Sequence, residues 1–344
     1  MENIKWTTQM EQVKQALLTM QRHPWEQGLA MQAVWELGDE TTALRLATEA
    51  AYRIHHDGRV AAIGGMEAQT DPSACGEVLL WAAEKTGNPV FKAAIEGLLT
   101  YDLEKAGRSK DGIVYHMTYD KSFWVDSMHM LPPFLALAGH VDEAIKQMNG
   151  YWQALFLPEK GLLAHRYDDE HQNFQRDAVW ATGNAWALSG IARVIDALPF
   201  DYEMQKQELI HKANQLIHQM RGHLGEEKLF YDVLDDPESY LDGASTLLYT
   251  YSIYRGLKSG WLTDPTLKPQ ADQMFEAAIS YIDELGFIRQ VAGAPDFMTV
   301  GISPEAQSFC LMAYAAKGRL EAYTEAKANE DNRKNNKRAI KKAS

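Results

Sequence analysis

Acidic, aromatic and amide residues recur in this chain where long irregular stretches give way to apolar-periodic ones. Trp25-Glu26-Gln27-Gly28, Asp71-Pro72-Ser73, Phe123-Trp124-Val125-Asp126-Ser127, Trp180-Ala181-Thr182-Gly183-Asn184-Ala185-Trp186 and Tyr240-Leu241-Asp242-Gly243 all occupy such junctions. Two of them follow loops that carry histidine, His116 and His165. Aromatic rings stack on the C–H faces of a sugar, and scattered carboxylates and amides hold its hydroxyls. A site that holds a carbohydrate is therefore expected.

Each residue also has a structural reading. Asp71 before Pro72 has the form of a helix N-cap with Pro at the first helical position, and Asp126 near a helix start can cap in the same way. Glu26 and Asp177 can complement helix dipoles. Trp180 and Trp186 are six residues apart, about 120° out of register on a helix, so they form no flat stripe and can be core. Other chemistries lack their motifs. Gly301-Ile302-Ser303-Pro304-Glu305 ends in Glu where a nucleophile elbow needs Gly, and neither a phosphate-binding glycine loop nor H-E-x-x-H occurs. His55-His56-Asp57 is a weak metal pattern, since adjacent helical residues point about 100° apart; His211 and His218 share a helix face that reads as solvated. No metal or cofactor is expected.

These residues must be held by helices. Of the 344 residues 46% are hydrophobic and 24% charged, an ordinary globular balance. Apolar spacing is helical in twelve segments: 8–20, 26–37, 40–54, 73–86, 89–105, 124–138, 140–156, 177–197, 202–220, 239–257, 267–284 and 304–316. A polar helix follows from about 319. Short turns at Gly38-Asp39, Gly87-Asn88, Gly139 and Pro199-Phe200-Asp201 alternate with the long loops 55–72, 106–123, 157–176, 221–238 and 285–303. In an array of antiparallel hairpins every second connection lies on one rim, so the long loops and the junction residues gather at one end. Long loops in compact domains are usually functional. Six hairpins closed in a ring, an all-α (α/α)6 toroid, fit this better than an open solenoid, because the hairpins share no repeat consensus. One catalytic domain over residues 1–330 and a basic polar tail over 331–344 are expected.

The net charge of −13 argues against a nucleic-acid partner, which needs phosphate-neutralising cations. No stretch has the roughly 20 apolar residues needed to span a bilayer, and Met1 to Trp6 lack a signal-peptide pattern. Cys75 and Cys310 are the only cysteines, too few for a disulfide framework. A cytoplasmic protein acting on a small oligosaccharide is the expectation.

Trp124-Val125-Asp126-Ser127 and the Trp180–Trp186 segment resemble the unsaturated glucuronyl and galacturonyl hydrolases, most nearly glycoside hydrolase family 105, the unsaturated rhamnogalacturonyl hydrolases. The resemblance runs from Trp25-Glu26-Gln27-Gly28 through Asp71, Leu79-Leu80-Trp81 to Glu84-Lys85-Thr86-Gly87, Asp111-Gly112 to Asp126, and Gly161 to His165. It ends over Gly301 to Phe309. It implies an (α/α)6 barrel, with Asp126 of the W-[VL]-D element as general acid/base. Asp71 then assists in positioning substrate, and Trp25, His116, Trp124, His165, Trp180, Thr182, Asn184 and Trp186 line the substrate site. The pattern W-x-R-x-x-G-W is altered: Thr182 stands for Arg and Ala185 for Gly. Arg166 and Arg176 are the cations available to replace the lost charge.

The implied reaction is removal of a 4,5-unsaturated uronic acid from the non-reducing end of lyase-generated oligosaccharides. It proceeds by hydration of C4=C5, unlike the two-carboxylate routes of ordinary glycosidases. Asp126 must then hold a proton near neutral pH. Burial beside Trp124 and a charged Asp71 are expected to provide this against a helix N-terminus. Two other readings compete. One is a sugar epimerase of the N-acylglucosamine 2-epimerase type using His116, His129 and His165. The other is a non-enzymatic helical-repeat binding protein.

Overall fold

The computed structural model describes residues 7–20, 22–63 and 66–343; the amino-terminal Met1 to Trp6 considered above lie outside them. The described residues form thirteen α-helices: α1 Thr8–Thr19, α2 Pro24–Glu36, α3 Glu40–Tyr52, α4 Gly76–Thr86, α5 Pro89–Thr100, α6 Ser127–Met130, α7 Pro132–Leu137, α8 Val141–Leu155, α9 Ala181–Ala197, α10 Glu203–Gly222, α11 Gly243–Ser259, α12 Leu267–Ile279 and α13 Pro304–Ala343. None is long and apolar enough to cross a membrane.

Two departures from the expected twelve have local causes. The segment expected over 124–138 divides into α6 and α7 at Leu131-Pro132-Pro133, because proline lacks the amide that would continue the ladder. The last apolar segment and the polar one after it are one helix, α13. The backbone of the basic stretch to Ala343 therefore continues a helix. Other ends follow their residues. Asn88 caps α5 by accepting from Val90 N, with Pro89 at its first position, and α4 stops at Gly87 in the left-handed conformation, φ 66°.

Amphipathic spacing sets the packing. On α8 the buried residues Val141, Ala144, Met148, Tyr151, Trp152 and Leu155 fall on one stripe. Inner helices are apolar nearly all round; α9 buries fifteen consecutive residues from Ala181 to Ile195. Contacts pass from α2 to α4, α4 to α7, α7 to α9, α9 to α11, α11 to α13 and α13 back to α2. Outside them, α3 lies on α2, α5 on α4, α8 on α7, α10 on α9 and α12 on α11. That order of contacts is the one expected of paired inner and outer helices.

A buried charge network joins the inner helices. The Arg193 guanidinium of α9 donates to both carboxylate oxygens of Glu77 on α4, to Glu36 on α2 and to the Tyr251 hydroxyl on α11. Arg319 of α13 also reaches Glu36. Every charge there is met by an opposite one, as deep burial requires.

The long loops carry short antiparallel strands. They are β1 Ser122–Trp124, β2 Phe156–Leu157, β3 Leu162–Leu163, β4 Arg166–Asp168, β5 Asn173–Arg176, β6 Phe230–Tyr231, β7 Leu241–Asp242, β8 Val291–Ala292 and β9 Val300–Gly301. Strands β1, β4 and β5 make a three-stranded sheet with β4 in the centre, in register Trp124↔Arg166↔Arg176. Most of these stretches fall in the expected loops, but Trp124, Phe156 and Leu241–Asp242 fall in segments expected to be helical, a correction to those segment ends.

Candidate active site

The long loops and the first turns of several inner helices surround one cavity of about 460 Å3. Trp25, Thr182, Ala244 and Glu305 line it from the first turns of α2, α9, α11 and α13. Asp71, His116, Trp124, Asp126, His165, Arg166, Arg176, Trp180 and Trp186 complete most of the wall. Nine of the ten residues expected at the site thus line one space. Asn184 does not. Its amide donates to the Leu163 and Trp180 carbonyls and accepts from Leu163 N, so it ties β3 to α9 and has nothing left for a substrate. His129 also lies away from the cavity, between Ser189 and Gln32.

Asp126 lies two residues beyond the end of β1. Val125 N donates to the His165 carbonyl at 3.0 Å, and Asp126 then opens α6. It makes no side-chain cap hydrogen bond, so the capping role is not used. Its Oδ2 is buried without a hydrogen-bond partner. Burial pushes the carboxyl up to about 6, against the pull of Arg166 and Arg176. Glycine at 183 lets α9 come this close: a Cβ there would stand 2.5 Å from Val125 Cγ1.

Asp71 begins a 3-10 turn, Asp71–Cys75, and does not cap it. A Cβ on Gly28 would meet the Ala74 Cβ at 2.5 Å, so α2 packs directly on this turn. Burial, then the neighbouring Asp126 and Glu305 carboxyls, hold Asp71 well above the usual carboxylate range. This corrects the expected electrostatics. Asp71 is itself held towards the neutral form, and burial is the main cause of the raised Asp126.

Two histidines flank the acids. His116 stacks on Trp124, centroids 4.3 Å apart, and its Nε2 is 3.8 Å from Asp71 Oδ1. Burial, then Arg166, takes it down to about 3. His165 Nε2 is 3.8 Å from Asp126 Oδ2. Arg176 donates to His165 Nδ1 at 2.9 Å, a shorter approach than Arg166 Nε to Nε2 at 3.3 Å. A neutral imidazole has one acceptor nitrogen. Assigning it to Nδ1 leaves an N–H at Nε2 facing Asp126. Burial, then the two arginines, keeps this ring neutral.

The aromatics divide by role. Trp124 is half-buried and carries the Arg166 guanidinium 3.5 Å above its ring. Trp180 donates from Nε1 to Asp232 Oδ1 at 3.0 Å. Trp186 reaches the cavity but packs largely on His129 and Phe309. Thr182 donates to Asp242 Oδ2 at 2.7 Å. Trp25 stacks on His23 and donates from Nε1 to Glu305 Oε1 at 2.6 Å.

Arg166 and Arg176, the cations named above as available, both line the cavity, as does Glu305, which was not among the expected site residues. The alternation in Asn173-Phe174-Gln175-Arg176 was a usable strand signal, but four residues are too few for periodicity to decide. Glu305 left no signal beyond an acid in a helix's first turn. Among the described residues no group of three or more His, Cys, Asp or Glu is placed to hold a metal.

An acid held near neutrality among stacked rings, with Arg166 and Arg176 lining the same cavity, makes an acid–base site on a largely helical scaffold. The chain belongs to Glycosyl Hydrolase Family 88, whose profile matches residues 2–300. It is 24% identical over 245 residues to an unsaturated rhamnogalacturonyl hydrolase of Bacillus subtilis, a match covering 65% of this chain and 66%, just under two thirds, of that protein. Two solved structures share the fold. One is a possible member of the GH105 family from Salmonella enterica, with TM-score 0.78 at 19% identity, covering 90% of this chain and 93% of that one. The other is a family 105 glycoside hydrolase of C. acetobutylicum, with TM-score 0.77 at 20% identity, covering 91% and 99%.

Proposed function

We propose that the protein removes a 4,5-unsaturated uronic acid from the non-reducing end of lyase-generated oligosaccharides, with Asp126 as the general acid/base. The observation that carries this is the Asp126 carboxyl itself. It is aimed into an aromatic cavity, has a free Oδ2 and is raised to about 6. The B. subtilis relative bears the name of that activity, and the family is one of glycosyl hydrolases.

The C4=C5 bond of such a sugar is a vinyl ether. The protonated Asp126 gives its proton to C4, and the ring oxygen shares the cation left at C5. A water adds at C5, and its proton returns to the Asp126 carboxylate. The resulting hemiketal opens by breaking the C5–ring-oxygen bond to a C5 ketone, and the hemiacetal left at C1 collapses to an aldehyde, releasing the next sugar as its alcohol. One carboxyl serves both proton transfers. His165, neutral and directed by Arg176, holds the carboxyl through its Nε2–H once substrate closes the 3.8 Å gap.

The uronate carboxylate needs a cation. Arg166 and Arg176 are the only Lys or Arg side chains among the described lining residues. They take the place of the arginine that Thr182 replaces, with the charge supplied from the β4–β5 hairpin instead of α9. The single domain, the cytoplasmic location and the role of Asp71 as a positioning acid belong to the same reading.

The test is the absorbance of the conjugated C4=C5 bond. Adding the protein to unsaturated disaccharides from pectin or glycosaminoglycan lyases should bleach it and release the second sugar. Bleaching of none of them, with release from saturated uronides instead, would overturn the reading.

A further inference from the structure

His116 is gripped at its Nδ1 by two hydroxyls. Thr70 Oγ1 and Ser127 Oγ each lie 3.0 Å from that nitrogen and 3.2 Å from one another. Both residues are fully buried. Thr70 stands at the N-cap position of the Asp71–Cys75 turn, where a threonine hydroxyl commonly caps, yet it makes no cap hydrogen bond. Its side chain is spent on the ring instead. Thr70 and Ser127 also adjoin the two acids of the site, Asp71 and Asp126, in the chain.

Proton counting bears on the ring. The imidazole is neutral, so one nitrogen carries a proton and the other a lone pair, while each hydroxyl has one proton to give. With the ring proton at Nδ1, the trio would hold three protons for two acceptor oxygens, and one proton would have to leave it. With Nδ1 bare, one hydroxyl donates to the nitrogen and the second donates to the first, so every proton is placed. Beyond the trio Ser127 is adjoined by Tyr151, whose own hydroxyl donates to the Val114 carbonyl at 2.9 Å. The far end of the ring agrees: Nε2 is 3.8 Å from Asp71 Oδ1, an oxygen that attracts an N–H and repels a lone pair.

We propose that Thr70 and Ser127 are positioning residues whose hydroxyls hold His116 as the tautomer with a bare Nδ1, so that its Nε2–H is presented to Asp71. The two histidines then meet the two acids alike, each with Nε2 3.8 Å from a carboxyl oxygen. Stacking on Trp124 fixes the plane of the His116 ring, and the hydroxyls fix which nitrogen donates. The catalytic consequence rests on the proposed reaction; the state of the ring does not.

The experiment labels the histidine rings of the full chain with 15N and assigns the His116 signals by their loss in His116→Gln. Long-range proton–nitrogen correlation at pH 7, without substrate, should show a bare Nδ1 and a protonated Nε2. A protonated Nδ1 overturns the inference. Tyr151→Phe removes the other oxygen beside Ser127 and should leave the tautomer unchanged; a switch there would mean that the proton leaves through Tyr151, which also overturns it. Thr70→Val combined with Ser127→Ala removes both hydroxyls. It should populate both tautomers and lower kcat on an unsaturated disaccharide roughly 3–10-fold, the scale of one neutral hydrogen bond, with KM changed less because Arg166 and Arg176 remain. Thr70→Ser combined with Ser127→Ala keeps one hydroxyl on Nδ1, and should restore the single tautomer and most of the rate. Melting curves establish that the variants fold. Wild-type kcat in the folded variant without hydroxyls, or no recovery when one is kept, overturns the positioning role while leaving the proposed reaction standing. Failure of the wild type on every unsaturated substrate overturns that reaction and the catalytic consequence with it, and the spectrum still decides the state of the ring.

Discussion

Replacing Asp126 by Asn should change how the fold's stability depends on pH. The carboxyl sits at about 6 against an ordinary 3.8, and its side chain is 18% exposed. Each pKa unit is worth about 1.4 kcal/mol, so an ionised Asp126 costs the native state up to about 3 kcal/mol. The direction follows from the raised value. Below about pH 4 the group is protonated in both folded and unfolded chains and costs nothing. The penalty grows as pH rises from the unfolded to the folded pKa, and is constant above about 6. Asn carries no such penalty. It does place an amide where Oδ2 has no partner, which costs about 1–3 kcal/mol at every pH. Urea unfolding followed by tryptophan fluorescence at pH 4, 5, 6 and 7.5 should therefore show the variant gaining on the wild type by about 2–3 kcal/mol across the series. Parallel stability curves would mean that Asp126 titrates normally and cannot hold the proton the reaction needs.

Other outcomes follow from the same geometry. The alkaline limb of kcat/KM should fall about tenfold per pH unit above pH 6, because only protonated Asp126 can start the reaction; a rate flat to pH 8 would contradict this. Arg176→Gln should raise KM roughly 10–100-fold for a free uronate, the scale of a hydrogen bond to a charged group, and much less for its methyl ester; an equal effect on both would detach Arg176 from the carboxylate. Gly183→Ala should destabilise by about 1–3 kcal/mol through overpacking against Val125 and lower kcat by shifting Asp126. Thermal melts and steady-state kinetics on one preparation would check both effects.

The helical class was legible because inner and outer helices carry apolar stripes long enough for their period to show. The gathering of the junction residues followed from the alternation of loop lengths, and Trp25, Trp180, Thr182 and Asp126 do line one cavity. What stayed hidden depends on contacts between distant segments. Asn184 lies two residues beyond Thr182, but helical geometry turns it towards β3, where Leu163 takes its amide. Asp71 is held towards the neutral form by burial, then by Asp126, then by Glu305, more than 200 residues away in the chain. Arg166 and Arg176 come together only through the register of β4 on β5. Pairing over three or four residues leaves too little pattern for a sequence to announce.

The central claim is that one carboxyl, Asp126, performs both proton transfers. Its direct measure is the initial rate at which Asp126→Asn bleaches an unsaturated uronyl disaccharide that the wild type consumes, at pH 6 and saturating substrate, with circular dichroism establishing that the variant is folded. Asn keeps the size of the side chain and cannot exchange the proton, so kcat should fall by roughly 10²–10⁴-fold or more, with KM nearly unchanged. A folded variant that bleaches the substrate at close to the wild-type rate would contradict the account.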